Sequence, residues 1–206
     1  MNKVRGCRFC FLSEREHILK ETHNFYVVPS IGSIVEGYLL LNSKYHLPSY
    51  GEMPEHFLDE FLTLKDDVKN ALEHMYERGC ILYEHGRAAV SITLQGEDKI
   101  SYHAHLHCIA INVDLLETIC KVYRPLKINE WKEMMQLAEK YPHYLYYENK
   151  ENMYFFPVDT YVRPQYLRSC LAEALHTPDA ADWSREPKWE NIEDSVKKLS
   201  LYFSKR

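Results

Sequence analysis

No stretch of this chain is apolar for long enough to span a bilayer, so a helical membrane protein is excluded. Met1 to Cys7 contains no apolar run, so no secretory signal is expected. A cytoplasmic location without membrane partners is the expectation. A basic excess is missing too: 25 Lys and Arg stand against 30 Asp and Glu, a formal net charge of −5. Proteins that track an extended nucleic acid are usually basic, so no large nucleic-acid footprint is expected. A small nucleotide held by a local site is compatible with that balance. Internal repeats and low-complexity segments are absent as well. In a reducing compartment the six cysteines are not expected to form structural disulfides, and the four that sit singly in apolar surroundings are expected to be small core residues.

What is present is an ordinary globular composition, 46% hydrophobic and 27% charged. The 206 residues suit one domain, or one domain with an appendage, and suffice for a real core. The most informative segment is Ser101-Tyr102-His103-Ala104-His105-Leu106-His107-Cys108-Ile109. In a strand, residues i, i+2 and i+4 share a face. His103, His105 and His107 therefore point one way, and Ala104, Leu106 and Cys108 the other. Three imidazoles in register make a poor core. They make a good nucleophile, proton donor or metal site, because histidine titrates near neutrality and its two nitrogens can take separate tasks.

The remaining pattern is mixed. Phe25 to Pro29, Tyr38 to Asn42, Cys80 to Tyr83 and His103 to Asn112 read as strands, the second apolar on both faces and so buried. Ser13 is a possible helix cap, and Ile31 to Val35 a turn. Phe57, Leu58, Phe61, Leu62, Leu64, Val68, Leu72 and Met75 recur at helical spacing, which predicts a helix from Glu55 to Tyr76 behind Pro54. Beyond Asn112 the spacing predicts helices over 114–121, 128–140, 164–175 and 191–203, strands over 144–147 and 153–158, and a loop over 183–187. Cys7-Arg8-Phe9-Cys10 is a Cys-x2-Cys knuckle, which alone is either a metal pair or two reduced thiols.

The triad and its flanks resemble the histidine triad superfamily of nucleotide hydrolases and transferases. His103-Ala104-His105-Leu106-His107 matches its His-x-His-x-His signature, Lys44-Tyr45-His46 its Lys-x-His element, and Tyr83-Glu84-His85-Gly86 an element of some bacterial members. The resemblance covers residues 7 to 112. It implies an α+β fold, an antiparallel β-sheet with helices packed on one side, as a catalytic domain over 1–112. Residues 113–206 form a C-terminal α/β extension packing on it. A homodimer is possible.

The resemblance also implies site residues. Zinc-containing members use the Cys-x2-Cys pair, the His of Lys-x-His and the first triad His, here Cys7, Cys10, His46 and His103. All four zinc positions are then filled by protein, a closed structural site. His105 matches the nucleophile that attacks the α-phosphorus and carries a nucleotidyl-histidine intermediate, with His107 as its catalytic companion. Many members carry a Gly-Gln-Ser/Thr stretch before the triad. This chain has Gly96-Glu97-Asp98-Lys99-Ile100-Ser101-Tyr102 instead, in which Lys99 and Ser101 are the phosphate candidates. Asn42 and Lys44 are further substrate-binding candidates, with Glu84 and His85 behind them. Arg163 to Arg168 and Ala181 to Arg185 resemble segments of extended bacterial members and of splicing-factor-like relatives, and Arg168 is placed to reach a phosphate.

The expected function is cleavage of a phosphoanhydride or phosphoramidate of a nucleoside monophosphate, the ligand being a nucleotide or nucleotide conjugate. The alternative is a nucleotide- or RNA-end-binding module with little turnover. A zinc-stabilised structural protein is a third possibility, but it leaves His105 and His107 unexplained.

Overall fold

The computed structural model describes residues 2–87, 89–90, 101–159 and 162–204. In chain order its strands and helices are β1 (Lys20–Glu21), β2 (Phe25–Pro29), β3 (Tyr38–Ser43), α1 (Leu58–Tyr76), β4 (Cys80–Gly86), β5 (Ala89–Val90), β6 (Ser101–Tyr102), β7 (His105–Ala110), α2 (Leu116–Cys120), β8 (Leu126–Ile128), α3 (Trp131–Lys140), β9 (Tyr144–Glu148), β10 (Met153–Pro157), α4 (Tyr166–Ala174) and α5 (Trp189–Phe203). Eight strands form one antiparallel sheet in the order β1-β2-β3-β7-β4-β9-β10-β8, and β5 pairs with β6 in a separate ribbon.

The sheet runs without interruption from residues before 112 to residues after it. Strand β9 pairs with β4 over five positions, from Leu82 opposite Glu148 to Gly86 opposite Tyr144. The C-terminal segment thus supplies three of the eight strands.

Both faces of the sheet are covered. Leu39, Leu41, Leu82, Leu106 and Cys108 pack with α1, α3 and α5 on one face. Tyr38, Leu40, Ile81, Tyr83 and Ile109 pack on the other with α2, α4 and the Cys7–Cys10 knuckle. The expectation of helices on one side is corrected here, because the segment beyond residue 112 adds a second layer. It also explains why all six residues of β3 are buried: a strand covered on two faces reads as a continuous apolar run.

Local differences follow from local chemistry. The helix expected from Glu55 begins as a 3₁₀ turn over Glu55–Phe57 and becomes α-helical at Leu58. It ends at Glu77, which is left-handed at φ 51°. Ser13 caps no α-helix; a single 3₁₀ turn, Arg15–His17, follows it. The helix expected from Ile128 starts only at Trp131, since Leu126–Ile128 joins the sheet edge beside β10. The strand expected to begin at His103 begins at His105, leaving His103 just outside the ladder.

Candidate functional site

The N-terminal knuckle folds against the entrance to β7. Cys7 and Cys10 are both buried, and the imidazoles of His46 and His103 face them. The Nδ1 atom of His103 lies 3.5 Å from Cys7 Sγ and 3.6 Å from Cys10 Sγ, and His46 Nδ1 lies 3.4 Å from Cys10 Sγ. The four donor atoms lie within 4.8 Å of one another. Zinc bonded at ~2.3 Å to sulfur and ~2.0 Å to nitrogen puts tetrahedral S and N ligands about 3.5 Å apart, so the donor set fits that ion.

The His103 ring is oriented for ligation. Its Nε2–H donates to the Ser43 carbonyl at 2.9 Å, so the Nδ1 lone pair is left for the thiols. Burial drives the His103 pKa down to about 3, against the Ser43 hydrogen bond, which raises it. Burial likewise pushes the Cys10 thiol up to about 11, while the Val4 amide, donating to its sulfur, pulls the other way. A divalent cation is what would hold such a buried thiol as a thiolate.

His105 and His107 follow on one face of β7. Register places Asn42 of β3 opposite His105, and Leu40 opposite His107, with Tyr83 of β4 on the other side of His107. Each imidazole is fixed by an aromatic neighbour: Phe9 stacks on His105 at 5.1 Å between centroids, and Tyr83 on His107 at 4.5 Å. The two histidines meet edge to face at 4.9 Å. The Nδ1 of His105 lies 2.7 Å from the carbonyl oxygen of His103. A carbonyl only accepts, so Nδ1 carries the proton and Nε2 the lone pair. His107 Nδ1 is 2.9 Å from the Tyr38 hydroxyl, itself 2.5 Å from the Tyr83 hydroxyl. Burial lowers the pKa of both histidines, so both rings are neutral at physiological pH.

His105, His107, Leu40 and Tyr83 line a cavity. Arg8 and Phe9 come from the knuckle, His85 from β4, and Gln165, Arg168 and Trp183 from the C-terminal segment. Burial lowers the His85 pKa to about 4. Arg168 is buried, and its guanidinium binds three carbonyls: Nε donates to Ala181 at 2.8 Å, and Nη2 to Ala180 at 2.8 Å and to Gly32. It also lies over the Tyr38 ring at 5.5 Å. Its donors therefore hold the cavity wall in place. Gly32, at φ +73°, admits that wall: a Cβ there would sit 2.6 Å from Trp183 Cβ.

The other expected residues are dispersed. Asn42 lies fully buried beside His105, its Nδ2 donating to the Leu40 carbonyl at 3.3 Å and its Oδ1 without a partner among the described residues. Lys44 is turned away, its ammonium bound to Glu21 at 3.0 Å and to the Thr22 carbonyl. Glu84 is on the opposite face, accepting from the Tyr50 amide at 2.9 Å and the Tyr144 hydroxyl at 2.5 Å. Ser101 stands in β6, paired through its backbone region with Val90. Lys99 lies outside the described residues. Sequence reasoning did not single out Tyr38, Phe9, Arg8 or Trp183. Alternation in β4 could have marked Tyr83, two residues from His85; Trp183 falls in the Ala181 to Arg185 segment, which gave it no role at the cavity.

No protein-family model and no curated protein matches the chain. Several solved structures are similar in part. A hypothetical histidine triad nucleotide-binding protein from Sulfolobus tokodaii is 24% identical over 65% of this chain and 87% of its own, with a TM-score of 0.41. A Hit-like protein involved in cell-cycle regulation from Bartonella henselae, with an unknown ligand, is 14% identical over 46% of this chain and 68% of its own, with a TM-score of 0.36. Among the described residues no helix is long and apolar enough to cross a membrane.

Proposed function

We propose that the protein is a nucleotidyl hydrolase or transferase of the histidine triad type, in which His105 takes up the nucleotidyl group. The observation that carries this reading is the hydrogen bond from His105 Nδ1 to the His103 carbonyl. It leaves a neutral imidazole with its Nε2 lone pair available in a cavity, the state a nitrogen nucleophile needs.

Nε2 attacks the α-phosphorus of a nucleoside monophosphate derivative, and an N–P bond forms. The bond from phosphorus to the leaving group breaks, and its electron pair departs with that group. Water or another acceptor then attacks the phosphorus, and the N–P pair returns to Nε2. With Tyr38 donating to His107 Nδ1, His107 presents Nε2–H to a phosphoryl oxygen as negative charge develops there. Cys7, Cys10, His46 and His103 would hold zinc as a structural ion that ties the knuckle to the start of β7.

The test is intact-protein mass spectrometry with a panel of adenylated and guanylated compounds, wild type beside His105→Ala. A nucleotidyl adduct on the wild type alone supports covalent transfer. Turnover retained in His105→Ala sinks it, and nucleotide binding without adduct or release favours a binding module.

A further inference from the structure

We propose, building on the reading of His105 as the nucleotidyl acceptor, that Arg8 is an anion-binding residue of the same cavity. It selects ligands with a second negative group beyond the reacting phosphoryl, as in a diphosphate.

The charge inventory of the cavity points there. No carboxylate lines it among the described residues, although the chain as a whole carries a net charge of −5. Of its two guanidiniums, that of Arg168 is already bound to the carbonyls of Gly32, Ala180 and Ala181. Arg8 is different. Among the described residues it makes no hydrogen bond and no ion pair; Glu14 feels its charge without closing on it. A half-buried guanidinium with five free donors is an incomplete arrangement, and two oxygens of a tetrahedral phosphate complete it by each accepting one of its N–H groups.

Its position suits the task. The guanidinium carbon lies 5.5 Å from the Phe9 ring centroid and 5.4 Å from that of Trp183. Phe9 in turn stacks on His105, so Arg8 sits one ring away from the nucleophile. Trp183 is itself fixed, because its segment docks on Gly32, whose amide donates to the Pro187 carbonyl at 2.7 Å. Two aromatic rings thus hold the guanidinium before ligand arrives, and little side-chain freedom is lost on binding.

Calorimetric titration of the zinc-containing full chain tests this, with AMP, α,β-methylene-ADP, GMP, α,β-methylene-GDP and inorganic pyrophosphate as probes. The methylene analogues resist transfer at the α-phosphorus, so binding is read apart from turnover. Wild type should bind a methylene diphosphate about tenfold or more tighter than its monophosphate. Arg8→Gln should bring that ratio to within about twofold while monophosphate binding changes little, and Arg8→Lys should keep part of the preference. Unchanged zinc content and melting temperature in Arg8→Gln establish that the knuckle is intact. An equal loss for mono- and diphosphates would make Arg8 a mere staple for Trp183 and overturn the proposal. So would an unaltered ratio, or a wild type that binds no diphosphate probe. Missing nucleotidyl adducts would sink the catalytic reading while leaving a measured Arg8 preference standing.

Discussion

Glu84 offers a prediction with a sign and a size. It is fully buried on the face of the sheet away from the histidines, and burial raises its pKa to about 7, against the hydrogen bonds from Tyr144 and the Tyr50 amide. In the unfolded chain the same carboxyl titrates near 4.5. The folded state therefore holds the proton more tightly. The stability this contributes is fully present below about pH 4.5 and is lost as pH rises toward 7. Between about pH 5 and about pH 8 the linkage amounts to about 2.5 kcal/mol. Glu84→Gln keeps the shape and removes the titration. His85, whose pKa is depressed to about 4, slopes the other way below about pH 6.5, but that contribution is common to both proteins and cancels in the difference. Urea denaturation should then show the wild type losing about 2.5 kcal/mol relative to Glu84→Gln on going from about pH 5 to about pH 8, on the order of 1 M in midpoint. A difference that stays flat with pH would refute the reasoning, and would mean that the two donors outweigh burial and keep the carboxylate ionised throughout.

Two other perturbations probe the site's frame. Purified protein should carry about one zinc per chain by elemental analysis, and Cys10→Ser should lose it together with about 10 °C or more of melting temperature; metal-free wild type of unchanged stability would contradict the four-ligand centre. Arg168→Ala leaves the carbonyls of Gly32, Ala180 and Ala181 without their donor, a loss of about 3 kcal/mol. It should also shift Trp183 fluorescence as the wall loosens. Arg168→Lys should not rescue, since one ammonium cannot serve three separated carbonyls, and an Arg168→Ala protein that melts like wild type would count against the wall.

Much of this was legible in the sequence because it depends on spacing. The period of two in His103-Ala104-His105-Leu106-His107 put His105 and His107 on one face, and the periodic apolar residues from Phe57 to Met75 marked α1. The four candidate metal ligands, which spacing alone did not bring together and the family resemblance implied, do converge. Relations between distant segments were not legible. Nothing near Lys44 announces that Glu21 and the Thr22 carbonyl engage its ammonium. Arg168 reads as a phosphate ligand until three carbonyls 12 to 136 residues away are seen to occupy it. The second helical layer was missed for the same reason: its apolar faces are visible in the sequence, but which face of which sheet they cover is set by tertiary packing.

His103 shows how the candidate metal centre and the proposed nucleophile depend on each other. Its ring faces Cys7 and Cys10 with Nδ1, while its Nε2–H is fixed on Ser43. Its backbone carbonyl, just outside β7, is the acceptor that holds the proton on His105 Nδ1. One residue therefore anchors the knuckle with its side chain and sets the tautomer of the next triad histidine with its main chain. A zinc ion held by these four ligands would then have a chemical consequence without taking part in the proposed reaction. It would fix the carbonyl that decides which nitrogen of His105 is free, and it would fix Phe9, between the two cysteines, against the His105 ring. Loosening the knuckle would release both constraints at once, so activity should fall with zinc content even though no step of the reaction passes through the ion.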